Sequence, residues 1–407
     1  MKKTLIALAV FGTFTGAALA DGNSVTLYGK VDLGVTHFTG LAPAGGVNGT
    51  KTVSSTGMSS GITGGDRIGV KGNEDLGGGL QFIFDAETGF CGVGNNQGNV
   101  GQVNPSTGAT VGSQSFCTGS GYFMGRQAYG GLVGDFGTVL GGRLYDAAFN
   151  ADATLDPFGA GYTGQTANID AVVGVFGLVR ANQVLAYVTP NMGGFTGTAA
   201  YSFAAGSGTV PTASGLNSNV PRAWVLDGQY SAGPIYAVLD YTEATNVVAE
   251  TNGIPNAKGV TTGINDGKLK VWVAGASYNF GVAKVVAEYQ QGKQDYYSGN
   301  DKYWMLGATV PVGAGSIMAS YGENKNDMVA NGSTGAGAGT AKQIAIGYSY
   351  SLSKRTSLYT SYAHISNDAP SATLTGTSFT VGDATDSFYG VPGQSASGFA
   401  LGIVHNF

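Results

Sequence analysis

The chain has 407 residues, a formal charge of −5, and 11% charged side chains beside 43% hydrophobic ones. Soluble domains carry about 25% charged residues, and an acidic chain with scattered lysines lacks the basic stripe that nucleic-acid binding demands. Its 70 glycines are more than twice the usual share of about 7%, but they follow no G-X-Y period and proline is scarce, which excludes collagen.

In chain order, Met1–Ala20 comes first. Lys2 and Lys3 precede the apolar run Leu5–Phe11, and small residues end at Ala18-Leu19-Ala20 before Asp21. That is the three-part layout of a secretory signal. Its apolar core is too short for a membrane helix, which needs about 20 residues. The expected mature chain is one domain, residues 21–407. Removal of the two lysines leaves 18 basic and 25 acidic side chains, a charge of −7.

Ser24–Thr36 sets the pattern for the rest of the chain. Val25, Leu27, Val31, Leu33 and Val35 share one face, while Thr26, Tyr28, Lys30, Asp32 and Thr36 share the other. This is the period of a strand. The segments around Ile235–Thr242, Val282–Gln290 and Gln343–Tyr350 repeat it. Tight turns at Asp75–Gly79, Gly134–Gly137, Pro190–Gly194, Ala232–Pro234, Asn279–Gly281, Pro311–Gly315 and Ser351–Arg355 alternate with long glycine-rich connections. Seven turns and eight long loops join sixteen strands.

The expected fold is therefore all-β: a transmembrane antiparallel β-barrel with short periplasmic turns and long external loops. Sixteen strands enclose an aqueous channel rather than a filled core. Trp224, Tyr230, Trp272, Tyr278 and Trp304 sit near strand ends, as interfacial girdles should. Cys91 and Cys117 share one glycine- and asparagine-rich loop, where they form either a disulfide or two free thiols. With no neighbouring histidines they make a poor metal site. At the end of the chain, Phe399, Leu401, Ile403, His405 and Phe407 alternate on one face. This resembles the assembly signal of Gram-negative outer-membrane barrels, with Phe407 as the contact for the barrel-assembly machinery.

Ser24-Val25-Thr26-Leu27-Tyr28-Gly29 resembles the opening strand of the general trimeric porins of Gram-negative outer membranes, in their β-proteobacterial branch. Arg67-Ile68-Gly69-Val70-Lys71-Gly72-Asn73-Glu74-Asp75-Leu76-Gly77-Gly78-Gly79-Leu80 resembles the second strand, first turn and third strand. Gly125-Arg126-Gln127-Ala128-Tyr129, Gly134-Asp135-Phe136-Gly137-Thr138-Val139, Gly142-Arg143-Leu144-Tyr145-Asp146 and Pro190-Asn191-Met192-Gly193-Gly194-Phe195 come next, in the family's order. Val404 and Asn406 depart from the basic residues the family often carries there, and the cysteine pair is not a general family feature.

The resemblance implies a homotrimer among outer-membrane lipid and lipopolysaccharide. Small residues such as Gly29, Gly69 and Gly402 are expected on the outer face. It also implies a third loop, roughly residues 146–168, folded into the lumen. Arg67, Arg126 and Arg180 match the family's basic wall cluster, with Lys30 beside it and Arg143 at the strand end entering the loop. Asp146, Asp152 and Asp156 are expected to oppose them across a constriction. Period-2 parity independently turns Lys30 and Arg67 inward, because an arginine facing lipid at mid-depth costs about 2–4 kcal/mol. Asp32, near Lys30, is expected to offset its charge.

The functional expectation is passive diffusion of ions and small hydrophilic solutes, with selectivity set by charged side chains. The alternatives are a substrate-specific channel for a sugar or carboxylate, and a surface adhesin on the same barrel. No G-x-x-x-x-G-K-[ST], H-E-x-x-H, G-x-S-x-G or EF-hand pattern is present, and His37, His364 and His405 are dispersed. Neither an enzyme nor a cofactor is expected.

Overall fold

A computed structural model describes residues 23–41, 53–93, 123–170, 179–205, 222–247, 267–295, 297–330, 339–368 and 395–407. The expected export signal, Asp21 and Cys117 lie outside the described residues. Strands β1 (Ser24–Leu41), β2 (Val53–Ser60), β3 (Arg67–Gly77), β4 (Leu80–Gly89), β5 (Gln127–Gly134) and β6 (Gly137–Tyr145) precede helix α1 (Ala147–Leu155). After a 3-10 turn at Thr166–Asn168 come β7 (Arg180–Val188), β8 (Phe195–Ala204), β9 (Arg222–Ala232), β10 (Ile235–Val247) and β11 (Gly267–Asn279). The remainder is β12 (Lys284–Gln294), β13 (Tyr297–Ser298), β14 (Asp301–Val312), β15 (Gly315–Asn326), β16 (Val329–Ala330), β17 (Gly339–Ser351), β18 (Thr356–Asn367) and β19 (Ala396–Asn406).

Each wall strand pairs antiparallel with the next, and β19 returns to β1 with Leu33 opposite Ile403. The sheet is a closed barrel without an open edge. It holds seventeen strand segments but sixteen wall positions, because β2 and β3 both pair with β1, along its second and first halves respectively. The pair β13 and β16 forms a separate ladder outside the wall. All seven expected tight turns join neighbouring strands, and Ser24 and Phe407 both lie at the turn end of the barrel. There Gly29 and Phe407 exchange backbone hydrogen bonds of 3.1 and 3.0 Å.

The burial pattern matches the alternation. On β1, Val25, Leu27 and Val35 are exposed while Lys30, Asp32 and Thr36 are buried; on β19, Phe399, Leu401 and Ile403 are exposed while Ala396, Ala400 and Val404 are buried. A continuous apolar outer face is stable only against hydrocarbon. Aromatics crown it at both ends. Near the long-loop end Tyr241 packs between Trp224 and Trp272 with centroids 5.0 and 4.3 Å away, and Trp304 packs on Tyr321. Near the turn end Phe195 meets Tyr230, and Tyr278 meets Phe280, each at 4.5 Å.

One parity expectation is corrected. Gly69 and Gly402 face inward, where the rings of Tyr28 and Tyr359 occupy the space a Cβ would need. Only Gly29 lies on the outer side, under the Phe407 ring.

Candidate functional site: the inner wall and the third loop

The break between β2 and β3 builds the first part of the site. Gly61 N donates to the Asp32 carbonyl at 2.9 Å, and Gly64 and Gly65 take positive φ angles of +113° and +84°. Such angles strain any residue with a Cβ. Asp32 is fully buried and holds this turn: one carboxylate oxygen accepts from Thr63 N and Oγ1 at 2.5 and 2.8 Å, the other from Tyr359 Oη at 2.6 Å. Asp66 accepts from Asp32 N at 2.7 Å. Asp32 is thus a structural anchor. The Lys30 ammonium donates to the Thr63 carbonyl of the same turn.

Four of the five expected bases converge beside this turn. Glu87 on β4 accepts from Arg126 Nε at 2.6 Å and lies 3.5 Å from Arg67 Nε. Arg67 Nη1 and Arg126 Nη2 donate to the Gly64 carbonyl at 3.1 and 3.3 Å. The Arg126 guanidinium lies over Gly65, 2.8 Å from where a Cβ would stand. Tyr145 Oη accepts from Arg126 Nη2 at 2.8 Å and from Arg180 Nη2 at 2.9 Å. Exposure separates the bases. Arg126 is 4% exposed and Lys30 8%, whereas the Arg67 side chain is 29% exposed. Arg143 sits where the β6–β7 register shifts between Gly142 and Leu144, and donates to the Gly125 carbonyl at 2.7 Å and to Asn182.

The third loop crosses the inside of the barrel. Asp146 caps α1 by accepting from Ala148 N at 3.0 Å, and the helix packs on β10, β11 and β12. A track of wall glycines receives the end of the helix and the segment beyond it. Leu155 fills the space above Gly275, Pro157 that above Gly307, and Phe158 that above Gly347. A Cβ at Gly275 would stand 2.2 Å from Leu155 Cδ1. The loop tip then reaches the strand break: Tyr162 N donates to the Ile62 carbonyl at 2.6 Å, and Thr163 and Ser361 share a hydroxyl hydrogen bond of 2.8 Å. By strand order, the helix and the basic cluster lie on nearly opposite sides of the barrel.

The three loop aspartates do not line up against the bases; the structure places them in the loop's own scaffold. Asp156 accepts from Phe158 N, Ala160 N and Thr166 N at 2.9, 3.0 and 3.2 Å. Asp152 accepts from Thr166 Oγ1 at 2.9 Å and neighbours Gln290 and Glu288 of the wall. Burial pushes Asp146 up to about 7 and Asp156 to about 6, and raises Asp152 well above its ordinary value. The carboxylates that meet the bases come from the wall, and Glu87 is the chief of them. Glu87 and Tyr145 were not singled out from sequence. The inward parity of Glu87 on β4, shared with Asp85, was the available signal. Among the described residues, no three His, Cys, Asp or Glu groups are disposed to hold a metal.

This geometry is a closed barrel with a polar inner face, a basic strip on one wall and an ordered loop on the other. A Gram-negative porin profile matches residues 4–370. The chain belongs to the Gram-negative porin family. It is 31% identical to outer membrane porin protein 32 of Delftia acidovorans over 412 aligned residues, covering all of both chains. Among solved structures, the anion-selective porin from Comamonas acidovorans superposes with a TM-score of 0.69 at 28% identity, covering 95% of this chain and 100% of that one. The trimer form of OmpT from Vibrio cholerae shares the fold, with a TM-score of 0.63 at 16% identity and coverage of 95% and 100%. This porin is an outer-membrane protein.

Proposed function

We propose that this porin is a passive diffusion channel for ions and small hydrophilic solutes, with weak selectivity for anions. The observation that carries this reading is the convergence of Lys30, Arg67, Arg126 and Arg180 beside the strand break, with the third-loop helix seated on the opposite wall. An ion crossing the narrowed lumen meets donors on one side that replace part of its hydration. Glu87 offsets part of that charge, so the preference is modest. Arg67 carries most of it, because it is the more exposed of the two arginines that Glu87 shares. The similarity to an anion-selective porin supports the sign.

Further proposals concern export and assembly. The chain is exported by cleavage after Ala20, and the final strand with Phe407 addresses it to the barrel-assembly machinery. The mature protein is a homotrimer in lipid and lipopolysaccharide, and Cys91 pairs with Cys117. The experiment for the channel reading is the zero-current potential across a planar bilayer in a KCl gradient, for wild type and Arg67→Gln. The wild-type sign should favour chloride, and Arg67→Gln should move it towards potassium without abolishing conductance. If the potential is the same for both proteins, the basic strip does not set selectivity.

A further inference from the structure

Arg180 differs from the other arginines of the strip. Arg67 and Arg126 share Glu87. Among the described residues, Arg180 makes no ion pair with an acid, and its Nε is buried without a hydrogen-bond partner. What holds it is Tyr145, its register partner across β6 and β7. The Tyr145 hydroxyl accepts from Arg180 Nη2 at 2.9 Å, and the guanidinium lies 4.6 Å from the Tyr145 ring centroid. The ring is itself fixed from the third loop, where Phe149 stacks on it at 5.2 Å with planes 15° apart.

We propose that Tyr145 is a positioning residue for selectivity, holding Arg180 as the basic-strip charge that no wall carboxylate neutralises. The inference rests on the channel reading above. A phenol suits the task on physical grounds. Its oxygen accepts two guanidinium donors, from Arg126 and Arg180, through two lone pairs, so two like charges share one neutral acceptor. Its ring attracts the cation without cancelling its charge, as a carboxylate would. Loss of the hydroxyl bears unequally on the two arginines. Arg126 keeps Glu87 and the Gly64 carbonyl; among the described residues, Arg180 keeps only the ring face. A lysine cannot replace Arg180, because the planar fork is what meets ring and hydroxyl together.

The test uses the full-length protein in planar bilayers under a KCl gradient, with Tyr145→Phe, Arg180→Gln, the double variant and Arg180→Lys. Arg180→Gln should shift the zero-current potential towards potassium. Tyr145→Phe should shift it the same way by less, and the double variant should match Arg180→Gln alone, as expected when one residue acts through the other. Arg180→Lys keeps the charge and Tyr145, so it tests the hold even if the tyrosine variant does not assemble; it should fall between wild type and Arg180→Gln. A wild-type potential for Tyr145→Phe or Arg180→Lys overturns the proposal. So does a Tyr145→Phe shift that persists undiminished in the Arg180→Gln background. If Arg180→Gln has no effect while Arg67→Gln does, Tyr145 has no selectivity role but the channel reading stands.

Discussion

At the scale of single residues, burial divides the basic strip into charges that hold structure and charges that meet ions. Arg126 and Glu87 are both buried and joined at 2.6 Å. Removing one member of such a pair leaves the other desolvated and unpaired, at a cost of about 3–5 kcal/mol. Arg126→Gln should therefore lower the urea unfolding midpoint markedly while moving the zero-current potential less than Arg67→Gln. Equal stability for the two variants would contradict this division. The inward facing of Lys30 and Arg67 was legible from the period-2 pattern alone. The pairing of Arg126 with Glu87, and of Tyr145 with Arg180, was not. Those contacts depend on the register between strands, which no single strand's alternation contains.

At the scale of elements, the third loop behaves as a packed part of the wall. Leu155 occupies space that exists only because residue 275 is glycine. Gly275→Val should push α1 towards the lumen and lower single-channel conductance; an unchanged conductance would mean that the helix is not seated there. Asp156→Ala would orphan three backbone donors, each at about 1–3 kcal/mol. It should raise current noise and expose residues 146–170 to protease. The acids also predict a pH trend. Burial raises Asp146 to about 7 and Asp156 to about 6 in the folded loop, above the unfolded value of about 3.9. The folded loop then binds more protons than the unfolded one, so its stability falls as pH rises from about 4 to 7. Protease protection of the loop should be stronger at pH 5 than at pH 8. The tight turns and strand faces were readable from glycine, proline and alternation. The interruption at 61–66 was not, because Val53–Ser60 carries only Val53 and Met58 as apolar residues, so it reads as part of a long polar connection and only the shared partner β1 reveals one broken wall position.

At the scale of the whole molecule, the barrel closes through β1 and β19, and Phe407 is tied to Gly29 at the turn end. Truncation of Phe407 removes both of those hydrogen bonds and the ring that covers Gly29, so the yield of folded barrel in the membrane should fall. Wild-type yield from the truncated chain would show that the seam does not need it. A trimer should appear as three times the protomer mass in mild detergent, and a monomer mass there would oppose it. The acidic total of −7 predicted for the mature chain does not decide selectivity, because charges away from the strip are screened beyond about 8 Å at physiological ionic strength. The central claim is that the local basic strip outweighs the acidic total. The wild-type zero-current potential in a KCl gradient tests it most directly: a sign favouring chloride is predicted, and a sign favouring potassium would contradict the account.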